Sequence, residues 1–250
     1  MKEVYLAYFD FMGFKQFILN NEDEVLIRRM GHIFRDIEIC LGQGKFQEPK
    51  NGQILADISK STINCLNISD TVLFWTNDLS EESLIELIQV ANEFNTKEIS
   101  HNFPLRGSVV KGKVKIVSGK DQTEQGGSYS VQCLYGKGLV EAHDLAENQE
   151  WAGTIIHDAV YSDLSYNDMG KKLIEKFIVD YDVPMKENLT RKSKVFKLRE
   201  EISNAEHLKN VVESIEKVFA LDKKGTDNKS VQNKINNTKD FVINLSGLGY

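Results

Sequence analysis

The chain is expected to fold as an α+β protein: an antiparallel sheet in a ferredoxin-like layout, helices on one face, and a C-terminal extension of strand and helix. Two runs rich in β-branched and aromatic residues, at 4–14 and 68–75, read as strands. Long stretches between and after them repeat their apolar residues at helical spacing. The resulting order, β-α-α-β-β-α-β, brings the first strand beside a central hairpin.

Each element has its own signal. The first strand ends at Phe11, and Gly13 marks a tight turn into a helical stretch carrying Phe14, Phe17, Ile18, Val25, Leu26, Met30, Ile33, Phe34 and Ile37. Residues 20–23, Asn-Asn-Glu-Asp, divide that stretch into two helices, with Asp23 capping the second. Gly, Pro and Asn make 42–52 a loop. A hairpin pairs 61–66 with 71–76. Ser80 opens a helix to about Ile99, with Leu84, Leu87, Ile88, Ala91 and Phe94 on one face. Residues 105–115 are a strand region broken by Gly112, 119–127 a polar loop, 135–148 a helix and 154–156 a short strand. Strands at 177–183 and 194–198 extend the sheet, and 202–221 is an amphipathic helix. Polar 223–237 is expected to be a mobile loop or a short helix. With no repeat and no linker, residues 1–165 form the core, and 166–250 extend the same domain.

Composition narrows the function. Hydrophobic content of 41% and charged content of 27% are those of an ordinary globular protein. Net charge is −6, from 31 Lys+Arg against 37 Asp+Glu, which disfavours non-specific nucleic-acid binding. Cys40, Cys65 and Cys133 fit no metal-ligand spacing, and an odd, sparse set points to a reducing compartment. The opening residues lead straight into a strand, and no apolar run approaches the roughly 18 residues of a membrane span. A cytoplasmic protein with no membrane partner is expected.

Asp10 and Asp70 each interrupt an apolar run. A carboxylate at the mouth of a buried strand loses hydration and needs a partner. On neighbouring strands the two could share a divalent cation, with substrate phosphates completing its shell. The alternative is that each caps a helix or a tight turn. Arg106 offers a planar fork for phosphate or base, or else a strand salt bridge. His143 reads as a packed histidine, Glu141 as structural, Tyr135 as a packing residue, and Lys15 and Lys111 as solvated lysines.

Four motifs in order, over roughly residues 4–160, resemble the class III nucleotidyl cyclases. They are Phe9-Asp10-Phe11-Met12-Gly13-Phe14, Ser69-Asp70, Leu105-Arg106 running on to Gly112, and Tyr135-Gly136 running on to Leu145. The resemblance implies the class III cyclase fold. It also implies two Mg²⁺ or Mn²⁺ ions held by Asp10, Asp70 and the Phe11 main-chain carbonyl. The turn Phe11, Met12, Gly13 and Phe14 would hold the triphosphate, and a homodimer would form the sites at its interface. The family's purine-reading positions fall on Leu66 and Cys133, which fit neither the adenine nor the guanine pattern. Its transition-state Asn and Arg fall on Val140 and Asp144. Residues 139–142 and the strand at 181–186 are similar to the pyrimidine nucleotide cyclases of bacterial Pycsar anti-phage systems. That likeness implies UTP or CTP as substrate and cyclic UMP or cyclic CMP as an infection signal. The competing expectations are a silent cyclase-fold module that binds a nucleotide or partner, and a ferredoxin-like RNA-binding domain. The latter should show aromatic RNA-stacking motifs and a basic face, and the chain shows neither.

Overall fold

The computed structural model describes residues 1–49, 54–198 and 202–247. Its elements are β1 (Lys2–Phe11), α1 (Phe14–Asn20), α2 (Asp23–Gly42), β2 (Asn64–Ile68), β3 (Thr71–Trp75), α3 (Glu81–His101), β4 (Leu105–Gln122) and β5 (Ser128–Tyr135). They continue with α4 (Lys137–Glu147), β6 (Gly153–Ile156), α5 (Asp158–Ser165), α6 (Asp168–Phe177), β7 (Ile178–Met185), β8 (Leu189–Phe196), α7 (Ala205–Ala220) and α8 (Lys229–Ser246). The sheet runs β2-β3-β1-β4-β6-β8-β7, with β5 paired to the far half of β4. Every pairing is antiparallel except β4 with β6.

β1 lies inside the sheet between β3 and β4, and its alternating side chains define two faces. Phe9 and Phe11 point to α3, where Phe9 meets Phe74 and Phe94, and Phe11 meets Phe94 and Phe103, with ring centroids 5.1–6.2 Å apart. Phe9, Phe74, Phe94 and Phe103 are fully buried. On the other face Tyr8 lies edge-on to His143 of α4, and the Ser108 hydroxyl donates to the Ala142 carbonyl at 2.7 Å. Helices therefore cover both faces rather than one. Glycine lets α4 approach: a Cβ on Gly112 would stand 2.6 Å from the Gly138 Cα. Gly112 thus marks a close helix crossing inside β4, not the expected break.

The hairpin turn is Ser69-Asp70, with Ser69 left-handed at φ 55°. Ser80 caps α3 by accepting the Ser83 N–H. Asp23 does not cap α2. It is the helix's first residue, after Glu22, and no side chain caps that end. The expected polar loop at 119–127 is largely hairpin, because β4 continues to Gln122 and pairs with β5 through Gln122 and Ser128. The polar stretch after 223 becomes α8, with Ile235, Thr238, Phe241 and Val242 buried at helical spacing. Phe241 packs against Trp151 and Tyr181, with centroids 4.6 and 4.5 Å away, joining α8 to β7. Part of the expected 42–52 loop lies outside the described residues. Among the described residues no helix is long and apolar enough to cross a membrane.

Candidate active site

Strand register brings the two aspartates together. Asp10 faces Thr71 across β1–β3 and Arg106 across β1–β4. The Phe11 N–H donates to the Asp70 carbonyl at 2.9 Å, and the Met12 N–H to the Pro104 carbonyl at 2.8 Å. Asp10 and Asp70 thus share one end of the sheet, where β1 turns through Gly13, at φ 78°, into α1. Glycine adopts that left-handed conformation without steric cost. No side chain caps α1, so none occupies its first-turn amides.

Arg106 is the hub. Its Nη2 donates to Asp10 Oδ2 at 2.6 Å and to Glu147 Oε2, and its Nη1 donates to the Glu147 carbonyl at 3.0 Å. Glu147, at the end of α4, also receives Lys186 Nζ at 2.7 Å from the far end of β7. Arg106 and Asp10 side chains are only 13% and 17% exposed, so the pair is little screened. Burial raises the Asp10 carboxyl above its ordinary value, and the neighbouring Asp70 charge adds to this, against the pull of Arg106. Burial opposes ionisation of Glu147 too, but Lys186 and Arg106 hold that carboxyl below its ordinary value.

Beside this network is a cavity of about 500 Å³, lined by Tyr8, Leu66, Ile68, Asp70, Thr71, Leu73, Leu134, Leu139, Val140 and His143. Apolar side chains dominate, and Tyr8, Ser69, Asp70, Thr71 and His143 supply the polarity. Burial raises the Tyr8 phenol, and the Asp10 and Asp70 charges push the same way. Asp10 does not line the cavity itself. It sits two residues along β1 from Tyr8, on the same face, held back by Arg106.

The donor set suits a hard cation. Asp10, Asp70 and Glu147 carry three negative charges against two positive ones from Arg106 and Lys186. Among the described residues no cation pairs with the Asp70 carboxylate. The Arg106 Nε–H is buried without a hydrogen-bond partner, a donor available to an anionic oxygen. Among the described residues no three His, Cys, Asp or Glu side chains converge on one point. Two carboxylates would therefore need main-chain and phosphate oxygens to complete a metal shell.

The expected site residues divide. Asp10, Phe11, Asp70 and Arg106 meet at the strand ends, and Leu66 lines the cavity with Asp70. Met12 and Phe14 are buried in the core, so a ligand would meet only their main chains, and the Met12 N–H is already given to Pro104. Cys133 is exposed on β5 opposite Val117 and does not line the cavity; its neighbour Leu134 does. His143 is exposed rather than packed, because α4 turns it outward over the Tyr8 ring. Tyr135 is 45% exposed, not packed. Lys111 is paired with Asp163 at 2.7 Å rather than solvated, and Glu141 pairs with His157 at 3.3 Å. Tyr8, Glu147 and Lys186 were not singled out as site residues. Tyr8 shares a strand face with Asp10, a two-residue spacing that could have marked it. Glu147 carries no such signal, because a helix end places it.

No protein-family model matches the chain, and neither does any curated protein sequence. The backbone is similar to that of the guanylate cyclase domain of RhGC from Catenaria anguillulae, solved in complex with GTP. The TM-score is 0.51 at 11% identity, over 79% of this chain and 97% of that one. The catalytic core of a rhodopsin-guanylyl cyclase with converted specificity, in complex with ATPαS, gives 0.51 at 11% identity over 79% of this chain and 96% of that one. The chain therefore has the fold of class III cyclase catalytic domains.

Proposed function

We propose that the protein is a metal-dependent nucleotidyl cyclase that converts UTP, or CTP, into the 3′,5′-cyclic nucleotide and pyrophosphate. It would act in the cytoplasm as a homodimer, its product a second messenger in anti-phage defence. One observation carries the reading: Asp10, Asp70 and Arg106 converge at the end of the sheet beside an apolar cavity whose floor holds Leu66, Leu73 and Leu134. A purine-reading site would put a charged or polar group at Leu66, whereas Cys133 lies outside the cavity.

Asp10, Asp70 and the Phe11 carbonyl would hold Mg²⁺ or Mn²⁺, which neutralises triphosphate charge and acidifies the ribose 3′-hydroxyl. Arg106, drawn from Asp10, would donate to phosphate oxygens while Glu147 steadies its guanidinium. Main-chain amides of Gly13 and Phe14 would orient the outer phosphates, those of Phe11 and Met12 being taken by Asp70 and Pro104. The 3′-hydroxyl gives its proton to solvent, its oxygen attacks the α-phosphorus in line, the bond to the α–β bridging oxygen breaks, and pyrophosphate leaves with that electron pair. Ile68, Val117, Tyr135 and Val140 are 45–59% exposed near the cavity, a surface for the second copy. The absence of Asn and Arg at Val140 and Asp144 favours the second reading, a silent module that binds nucleotide without turnover.

Incubation with each of the four ribonucleoside triphosphates and Mn²⁺, with products identified by mass, tests this reading. Cyclic UMP or cyclic CMP is expected. No cyclic product from any of the four leaves the silent module, and a cyclic purine product overturns the pyrimidine assignment.

A further inference from the structure

The last third of the chain reaches the turn after β1 from outside the site. A Cβ on Gly13 would stand 3.1 Å from the Lys224 Cβ and 3.4 Å from its carbonyl oxygen, so the two backbones are nearly in contact. Lys224 is 3% exposed. Its Nζ donates to the carbonyls of Leu221 at 2.9 Å, Asn102 at 3.0 Å and Val218 at 3.3 Å, and lies 4.3 Å from the Phe103 ring centroid. Phe103 packs on Phe11, Phe14 and Phe17, and the next residue, Pro104, accepts the Met12 N–H. Burial pushes the Lys224 amine down to about 7. Its Nζ ties the C-terminal segment, at Val218 and Leu221, to Asn102 beside the rings that pack on the turn.

Further ties act in the same place. Asn20 and Asn21, at the end of α1, donate to the carbonyls of Lys223 at 2.9 Å and Asp222 at 2.6 Å. Asp222 pairs with Arg29 Nε of α2 at 2.5 Å. Asp222 and Lys223 both hold positive φ, 55° and 53°, a conformation that persists where its surroundings over-determine it.

We propose that Lys224 is a positioning residue for the turn at 11–14. The segment 221–225 is a clasp that holds this turn in its ligand-binding geometry, so the C-terminal helices set the affinity of the site. What the turn binds rests on the cyclase reading; the clasp itself does not.

The test compares Lys224→Met, which keeps the stem against Gly13 but loses three donor bonds, with Asn21→Ala. Lys239→Ala, which breaks a surface pair with Glu216 between α7 and α8, serves as control. Hydrogen exchange read by mass spectrometry should rise about tenfold for amides 11–20 in Lys224→Met, and less in Asn21→Ala, with 105–110 unchanged. Mn²⁺ dissociation constants from calorimetry should rise about tenfold, the range seen when a supporting partner is removed from a metal site. If Lys224→Met does not fold, Asn21→Ala carries the comparison. Exchange at 11–20 unchanged in a folded variant, or raised only within 205–246, overturns the clasp. If the wild-type chain binds neither Mn²⁺ nor nucleotide, the cyclase reading fails while the exchange data still decide the clasp.

Discussion

Along β1, Phe9 and Phe11 point into a stack of interlocking rings, whereas Tyr8 and Asp10, on the other face, border a cavity and a partly neutralised cluster of charge. The same strand thus presents a filled face and an unfilled one. The filled face is close to a stability optimum, since each ring buries apolar area and meets others edge-on. Among the described residues no cation pairs with Asp70, and Arg106 keeps a buried, unpartnered donor that costs stability unless a ligand uses it. Unpartnered buried groups occur on the filled side as well, so what sets the other face apart is the open cavity with an unpaired carboxylate at its edge.

Substitutions should separate the two faces. Asp70→Ala should leave the thermal midpoint within a few degrees of wild type. It should lower kcat/KM for cyclic pyrimidine formation by on the order of 10³-fold, about 4 kcal/mol, from loss of charge stabilisation. A comparable fall in stability would show that Asp70 belongs to the scaffold. Phe94→Ala should do the reverse, costing about 3–5 kcal/mol in urea unfolding while the folded fraction keeps its nucleotide affinity.

The filled side has its own buried, unpartnered atoms, at Asn92, Asn95 and Glu98 of α3. Glu98, on α3, is fully buried with neither carboxyl oxygen hydrogen-bonded, and burial, with Asp36 nearby, pushes its carboxyl up to about 8. Its folded value exceeds its unfolded one, so its contribution to stability is complete below pH 4.5 and is lost as the pH rises through 8. Glu98→Gln should therefore match wild type near pH 4.5 and unfold several degrees higher at pH 9, read by calorimetry. A smaller effect is expected at Leu66: Leu66→Ala should enlarge the cavity and raise the ratio of ATP to UTP binding about tenfold. An unchanged ratio would remove Leu66 from base recognition.

Much of this contrast was legible in the sequence. Two apolar runs each broken by one aspartate, with helices and a hairpin between them, place Asp10 at a strand end beside the hairpin, and the register pairs Asp10 with Thr71, next to Asp70 in the turn. Arg106 could be found from the Leu-Arg strand, since it pairs directly with Asp10. The β4–β5 hairpin escaped notice because most of its side chains are exposed, leaving no alternation to read. Helix α8 looked like a loop because its few apolar residues are diluted by Asn and Lys. They still fall at helical spacing and gain their packing from Trp151 and Tyr181, distant in sequence. Glu147, Lys186 and Lys224 carry no local signal. Each is an ordinary charged residue until a helix end, a strand end or a chain crossing gives it a buried partner.

The central claim is that Asp10 and Asp70 form a shared cation site, not a structural pair satisfied by Arg106. Mn²⁺ binding followed by electron paramagnetic resonance, in the presence of 3′-deoxy-UTP, which cannot cyclise, tests it most directly. The account predicts about two ions per protomer in wild type, with binding lost in both Asp10→Ala and Asp70→Ala. Equal Mn²⁺ binding in wild type and both variants would contradict it.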